Sequence, residues 1–89
     1  MIFLISYDLN VPGKNYNELY KTIKSAGTWW HYLESTWLIK TEESIATWNK
    51  RLIKNLDEND RLFIVDITGQ DNDGWLEKKA WEWIRKHNS

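Results

Sequence analysis

Runs of apolar residues along the chain predict four β-strands. Five of the six residues from Ile2 to Tyr7 are apolar, as expected of a buried strand, and this run ends on the acidic residue Asp8. Two runs rich in Trp, Tyr, Thr and Ile come later, and the dipeptide Glu34-Ser35 between them predicts the turn of a hairpin. The strands after the first are predicted at 28–33, 36–41 and about 61–68.

Apolar residues that recur every three or four positions predict three helices. The first is expected over about 16–26, with Gly27 in the left-handed position at which many helices end. The second follows the hairpin, and the third is expected over about 74–87. Their apolar stripes include Ile45, Trp48, Leu52 and Leu56 in the second helix and Leu76, Ala80, Trp83 and Ile84 in the third. The predicted helix caps are Asn15, Thr41 and Asp73.

The order β-α-β-β-α-β predicts a ferredoxin-like α+β fold, in which a four-stranded antiparallel sheet carries two helices on one face. We expect the 89 residues to form one domain, with a core from residues 1–68 and a C-terminal helix at about 74–87. In a plain fold of this kind the second face of the sheet is open. Either the C-terminal helix or a second subunit is therefore expected to cover that face.

Alternation along two strands assigns side chains to the two faces of the sheet. The residues expected to face the two helices are Phe3, Ile5 and Tyr7 in the first strand and Phe63, Val65 and Ile67 in the fourth. This assignment leaves Ser6 and Asp8 on the opposite face of the first strand. It also leaves Asp66 on the opposite face of the fourth.

Asp8 is the main candidate for chemistry, because a carboxylate at the end of a buried strand is a common position for catalytic or metal-binding acids. The alternative is that Asp8 only begins the turn before Pro12-Gly13. The first and fourth strands should be antiparallel neighbours, which places Asp8 near Asp60 and far from Asp66. A metal at Asp8 would then need Asp60 or the Asp8 of a second copy on a two-fold axis, and such a pair can hold magnesium.

Composition narrows the classes of function. Seven of the residues are Trp, which is more than a domain of this size can easily bury, so some are expected at a partner surface. The net charge of −1 argues against strong non-specific binding of nucleic acids. The chain has no Cys, which excludes disulfides and zinc–thiolate sites. No signal peptide and no membrane-spanning stretch is recognised, so a cytoplasmic location is expected.

Other motifs carry less weight. The loop Asp71-Asn72-Asp73-Gly74 resembles a calcium loop, but Gly69 and Ala80 stand where the EF-hand pattern needs acidic residues. His31 has no second ligand at a useful spacing and is interpreted as a surface or packing residue. The serines lack a convincing His-Asp partner set, which argues against nucleophilic catalysis.

The segment Tyr7-Asp8-Leu9, the ferredoxin-like order and the hairpin Glu34-Ser35-Thr36-Trp37 together resemble a known superfamily. It contains the CRISPR-associated adaptation nuclease-like proteins and the virulence-associated protein D endoribonucleases. The chain is also similar to small bacterial and phage proteins that share YDLN-PG, WWHYLESTW and Asn59-Asp60 before the fourth strand. The similarity covers about residues 1–68.

The resemblance implies a homodimer with the acid of the first strand of each subunit at the interface. In the nuclease members that acid binds magnesium and supports phosphodiester hydrolysis, and both the catalytic and the metal-binding role carry over to Asp8. Ser35 matches a hairpin serine of the family and is expected to be structural. The chain departs from the family in lacking a basic track, since its first helix offers only Lys21 and Lys24. Some family members serve as architectural dimers without needing the acid.

Three functions follow from these observations. The first is a nuclease-like dimer that acts on DNA or RNA through Asp8. The second is a non-catalytic module, for example from a phage or mobile element, that binds a protein through a tryptophan-rich surface. The third is a small-nucleotide binder whose indoles stack on a base. The residues expected in structural or partner-surface positions are Ser35, Trp29, Trp37, Trp75 and Trp81.

Overall fold

A computed structural model of the protein describes residues 1–88 and confirms the ferredoxin-like α+β fold. Four antiparallel strands form one sheet in the order β2-β3-β1-β4, so the first strand lies between the third and the fourth. The elements in chain order are β1 (Ile2–Asp8), α1 (Asn17–Lys24), β2 (Thr28–Leu33), β3 (Thr36–Lys40), α2 (Ile45–Ile53), β4 (Arg61–Asp66) and α3 (Lys78–His87).

The face of the sheet that packs on α1 and α2, called here the closed face, holds the larger core. Its buried residues are Phe3, Ile5, Tyr7, Leu19, Ile23, Trp37, Ile39, Trp48 and Leu52. Two indoles in this core are hydrogen-bonded: Trp37 Nε1 donates to Tyr7 Oη at 3.0 Å, and Trp48 Nε1 donates to Thr41 Oγ1 at 3.0 Å. Because these polar groups are paired, their burial carries no desolvation penalty from an unmade bond.

The opposite face of the sheet, called here the open face, is covered in part by α3. Ala80 and Ile84 of this helix pack on a smaller cluster of buried residues from the sheet, namely Ile2, Trp30 and Leu38. Trp30 Nε1 donates to the Ala80 carbonyl at 3.2 Å, which ties β2 to the helix. The C-terminal helix therefore covers the part of the open face at the start of β1, as one of the two sequence alternatives expected.

The assignment of faces in β4 differs from the alternation argument. Leu62 and Ile64 pack on the closed-face core, whereas Phe63 is 63 % exposed and pairs with Ser6 of the open face. The prediction failed because residues 62–65 are all apolar, so the sequence has no alternation from which to choose the inward pair. Asp66 accordingly takes the register position opposite Phe3 rather than lying on the open face.

The predicted helix ends were also revised. Ser44 rather than Thr41 caps α2, since its Oγ accepts from Thr47 N at 3.1 Å. The third helix begins at Lys78 after Glu77, not after Asp73, and residues 69–77 are irregular. Caps are short-range features that several nearby polar residues can supply, so sequence alone does not select among them.

The observed start of the first helix also differs from the predicted one. It follows Tyr16, which makes no side-chain cap hydrogen bond, while the predicted cap Asn15 accepts from Asn17 N at 2.9 Å. Gly27 has φ +86°, the left-handed conformation expected after this helix. Within residues 1–88, no helix has both the length and the apolar character needed to cross a membrane.

Candidate functional site

Asp8 lies at the end of β1 on the open face and is exposed to solvent. Its Cα partner on β4 is Arg61, and its neighbour on β1 of the same face is Ser6. With Phe63 these residues border a shallow depression of about 180 Å³. The alternation argument for β1 was therefore correct, and it brings a carboxylate, a guanidinium and an exposed aromatic ring to one region.

The carboxylate of Asp8 makes no hydrogen bond and no ion pair with any residue in the described range 1–88. Its cross-strand neighbour Arg61 does not neutralise it. The Arg61 Nη1 instead donates to two backbone carbonyls, those of Glu58 at 3.0 Å and Asp60 at 2.9 Å. Asp8 is thus a solvent-facing acid whose oxygens are available to a ligand from outside the chain.

The turn interpretation of Asp8 finds little support in the structure. The turn at Pro12-Gly13 is closed by a hydrogen bond from Lys14 N to the Val11 carbonyl at 3.2 Å, and Gly13 has φ +77°. This positive φ at the third position is what a type II turn requires. The turn therefore begins at Val11, three residues after Asp8, whose side chain takes no part in it.

Asp60, the predicted second ligand, is occupied by a structural network. Its side chain is fully buried and accepts from Asn10 N at 2.7 Å, from Tyr16 Oη at 2.8 Å and from Asp57 N at 2.8 Å. The Lys14 ammonium lies 4.0 Å from Oδ2, the oxygen that accepts from Asp57 N, while Oδ1 accepts the other two hydrogen bonds. Since both oxygens are engaged, Asp60 is a poor metal ligand, and we refer to these contacts as the Asp60 network.

The Asp60 network also sets the charge of the buried carboxyl group. Burial alone would raise the pKa of Asp60, but the N–H groups of Asp57 and Asn10 and the Tyr16 hydroxyl outweigh it. Together with the Lys14 ammonium, they hold the pKa of Asp60 below its usual value. Burial, and then the hydrogen bond to Asp60, raise the pKa of Tyr16. The network therefore joins an ionised acid to a neutral phenol and fixes the segment that leaves β1 after Asp8.

Asp66 is remote from Asp8, as the antiparallel register predicts. It lies opposite Phe3, whereas Asp8 lies opposite Arg61 at the other end of β4. Its carboxylate accepts from Thr68 N at 2.9 Å and from the Thr68 hydroxyl, and these hydrogen bonds lower the pKa of Asp66. Among residues 1–88, no group of three His, Asp or Glu side chains is arranged to hold a metal ion.

The predicted partner-surface residues occupy unlike environments. Trp37 is 1 % exposed, so of the two roles considered for it, structural and partner-facing, only the structural one fits. Trp29 is 39 % exposed at the β2 edge, and Trp81 is half-buried against the α3 cluster. Trp75 is 99 % exposed. The Ser35 carbonyl accepts from Tyr7 N at 3.1 Å, a backbone contact that holds the hairpin turn beside β1.

The indoles nearest the β2 edge already have an aromatic or a cationic neighbour. The His31 ring stacks on Trp37 with centroids 3.6 Å apart, and the Lys24 ammonium lies 5.1 Å from the centroid of the Trp29 ring. His31 is thus a packing residue, as expected from its lack of a second ligand. A stacked nucleotide base would have to displace one of these contacts.

Two residues beside Asp8 were missed by sequence reasoning. Arg61 could have been found, because antiparallel pairing of β1 and β4 places the start of one strand beside the end of the other. Phe63 was assigned to the core, and only the register of β4 against β1 reveals that it is exposed.

The chain matches no family model, no curated protein and no solved structure. The features that bear on function are the residues around Asp8 and the uncovered part of the open face.

Proposed function

We propose that the protein is a nuclease-like homodimer in which Asp8 from each copy binds magnesium and supports phosphodiester hydrolysis in DNA or RNA. One observation carries the proposal. Asp8 is an exposed carboxylate at a strand end, and among residues 1–88 nothing neutralises it, although Arg61 stands directly opposite. An acid left in this state is available for a cation, and the resemblance of the Tyr7-Asp8-Leu9 segment and the hairpin to a superfamily with nuclease members supports the same role.

A second copy would supply a second carboxylate, which the described residues of one chain do not offer beside Asp8. Asp60 is engaged in its own network, and Asp66 lies at the far end of β4. Magnesium is commonly held by one or two carboxylates, with waters and phosphate oxygens filling its remaining positions. Two Asp8 carboxylates related by a two-fold axis would meet that need.

The surface around Asp8 is suited to contact another copy. Phe63, on the same face, is 63 % exposed, although an aromatic ring gains from being removed from water. Beyond α3 the open face has no cover among the described residues at this end of β1. Face-to-face packing of two copies would bury both Phe63 rings beside the two acids.

Magnesium and Arg61 would have different roles in phosphodiester hydrolysis. Bound magnesium would supply a Lewis acid for the phosphate and lower the pKa of a water nucleophile. A guanidinium group has five N–H donors in a planar fork, and Arg61 uses Nη1 for the two carbonyls that it contacts. The other nitrogens are available to a phosphate oxygen. With a net charge of −1, binding would depend on this local site and not on a basic surface.

The test is cleavage of RNA and of DNA at low salt, with magnesium and with a chelator. We expect cleavage only with magnesium. Asp8→Asn, which keeps the shape of the side chain, should lower the rate by at least about 100-fold, because the metal supplies several kcal/mol of transition-state stabilisation. The control is Asp71→Asn, which removes another exposed acid and should cleave normally. Equal rates for the protein and Asp8→Asn would disprove the hydrolase role.

A second candidate is a non-catalytic interaction module, and the exposure of Phe63 and Trp75 favours it. Such a module would bind a protein, or a nucleic acid without cutting it, and would be indifferent to chelator. Binding of RNA or DNA that is unchanged in Asp8→Asn and lost at high salt would support this candidate over the first.

A further inference from the structure

An apolar pocket lies on the open face between the sheet and α3. Its walls are side chains of both, chiefly Leu4, Trp30, Leu38, Ile67, Trp81 and Ile84. The volume is about 140 Å³. Since protein interiors are normally packed to crystal density, an open apolar pocket at the edge of a core indicates a place for an additional group.

The size of the pocket restricts what that group can be. Sites for drug-sized ligands and cofactors usually span about 300–1,000 Å³. A cavity of about 150 Å³ lined by aliphatic and aromatic residues is enough for benzene. The pocket therefore fits a single apolar ring system, such as one aromatic side chain, and is too small for a nucleotide.

Trp75 is a side chain of this kind and lies next to the pocket in sequence. It is 99 % exposed, whereas a Trp side chain usually buries much of its large apolar surface. The adjacent residue Leu76 packs on the α3 cluster and lines the pocket. On the other side, Gly74 lies close to Trp81, so that a Cβ at Gly74 would be 3.9 Å from the Trp81 ring. Because both neighbours are held against the protein, Trp75 is directed away from its own pocket.

We propose that two copies of the chain exchange Trp75, so that the indole of each copy fills the pocket of the other. This inference deepens the proposed function, because it rests on the same homodimer and names the residue that joins the two copies. The exchange is reciprocal, since a two-fold axis repeats the contact of one copy's Trp75 with the pocket of the other. Each pocket is incomplete until the partner copy contributes its ring.

The chemistry of the pocket suits an indole. Trp30 and Trp81 offer aromatic surfaces for offset or edge-to-face contact. Asn72 and Asp73 also line the pocket, and their side chains offer oxygens that can accept from the indole N–H, although Asp73 Oδ1 already accepts from Gly74 N. The N–H of a buried Trp normally donates to an acceptor of this kind. A ring without an N–H would leave the oxygens of Asn72 and Asp73 without that donor.

The pocket is continuous with the surface around Asp8. Thr36 lines the pocket, and its hydroxyl lies 3.4 Å from the Ser6 hydroxyl. Ser6 in turn borders the depression that contains Asp8 and Phe63. An interface that includes Trp75 can therefore extend to the acids without a break.

The area that a stable dimer buries indicates that its interface needs both the Trp75 pocket and the surface around Asp8. An aromatic side chain buries about 150–250 Å², while a stable interface buries about 1,200–2,000 Å² in total. Two exchanged indoles thus supply the central contacts and not the whole interface. The exposed side chains of Phe63 and Leu33 on the same face would contribute to the remainder.

Sedimentation equilibrium of the full chain and of single variants tests the exchange. We expect a dimer whose dissociation constant rises at least about 100-fold in Trp75→Ala, because two central aromatic contacts are lost at once. Trp75→Phe should weaken the dimer less, since a smaller ring still enters the pocket. The matched control is Trp29→Ala, which removes an exposed indole at the β2 edge and should leave the dimer intact.

A pocket-side variant tests the other half of the contact. Leu33 is 46 % exposed and lines the pocket, so Leu33→Asp should fold and should place a charge where the indole enters. We expect it to weaken the dimer although Trp75 is present. Thermal melting of each variant confirms that it remains folded.

Fluorescence supplies an independent readout of Trp75 itself. The difference between the native protein and Trp75→Phe isolates its emission, which should shift to shorter wavelength and resist acrylamide as concentration is raised through the dimer range. A monomer, or a dimer with Trp75 still open to acrylamide, would overturn the exchange.

The outcomes separate this inference from the proposed function. A dimer that is unchanged by Trp75→Ala overturns the exchange, while magnesium-dependent cleavage through Asp8 would still stand. A dimer that requires Trp75 supports the exchange even where no nucleic acid is cut, and in that case only the hydrolase proposal fails.

Discussion

The two faces of the sheet differ in how completely they are covered. On the closed face, α1 and α2 bury nine residues, and none of these is more than 6 % exposed. On the open face, α3 buries a cluster of five and leaves the region of Asp8 and Phe63 uncovered. The closed face is a fully covered core, whereas the open face is covered only in part by the described residues.

Because of this difference, we expect the closed face to determine stability and the uncovered part of the open face to determine binding. Residues of the closed face are held by packing on all sides, so substitutions there should act mainly on the free energy of unfolding. Residues of the uncovered region have few neighbours within the chain, so substitutions there should act mainly on binding. Two predictions test this division and a third tests the Asp60 network, beginning with the largest effect.

Matched truncations on the two faces should differ in cost. Leu52→Ala, at a residue that is 0 % exposed in α2, should lower the free energy of unfolding by about 4 kcal/mol. Ile84→Ala, at a residue that is 8 % exposed in α3, should cost about 2 kcal/mol, because its site borders the open pocket and already contacts solvent. Urea denaturation of dilute, monomeric protein measures both. Equal losses would show that the α3 cluster is as tightly packed as the closed face.

Asp60→Asn should destabilise the protein by an amount that depends on pH. The folded state lowers the pKa of Asp60, so its contribution is complete above the unfolded pKa of about 3.9 and is lost as pH falls through the lower folded value. At pH 7 we expect a fall in Tm of several degrees, on the order of 5–10 °C. The difference from the native protein should shrink below about pH 4. A pH-independent difference between the melting curves would assign the effect to shape and not to charge.

Phe63→Ser should have the smallest effect on stability. The side chain is 63 % exposed, so the free energy of unfolding of the monomer should change by less than about 0.5 kcal/mol. The same variant should weaken self-association, measured by sedimentation. Ile53→Ser, at a residue 48 % exposed in α2, is the control and should not. If both variants behave alike, the uncovered part of the open face is not a dimer interface.

The strands were predictable because their side chains carry a local signal. The boundaries of β2 were predicted to the residue, since aromatic and β-branched residues cluster there and a polar turn follows. The inward residues of β4 were not predictable, because residues 62–65 are uniformly apolar and only pairing with β1 determines which of them face α1 and α2. Register is a property of two strands and cannot be read from one.

The candidate site was predictable only in part for a similar reason. The placement of Asp8 followed from alternation in β1, and its distance from Asp66 followed from antiparallel pairing. The engagement of Asp60 did not, because its hydrogen-bond donors Asn10 and Tyr16 are 50 and 44 residues away in the chain. The extreme exposure of Trp75 also depends on tertiary packing, namely on how its two neighbours are held.

The Asp60 network has a consequence for how relatives of this chain could be recognised. Asn10, the tyrosine at position 16 and Asn59-Asp60 form one hydrogen-bonded unit, in which Asn10 Nδ2 also donates to the Asn59 carbonyl at 2.8 Å. Loss of Asn10 or Tyr16 would leave the buried Asp60 carboxylate with an unmade hydrogen bond, so we expect natural selection to act on these positions together. We therefore expect a search profile weighted on these positions to detect the same β1–α1 connection even in homologues that have exchanged Asp8 for another residue.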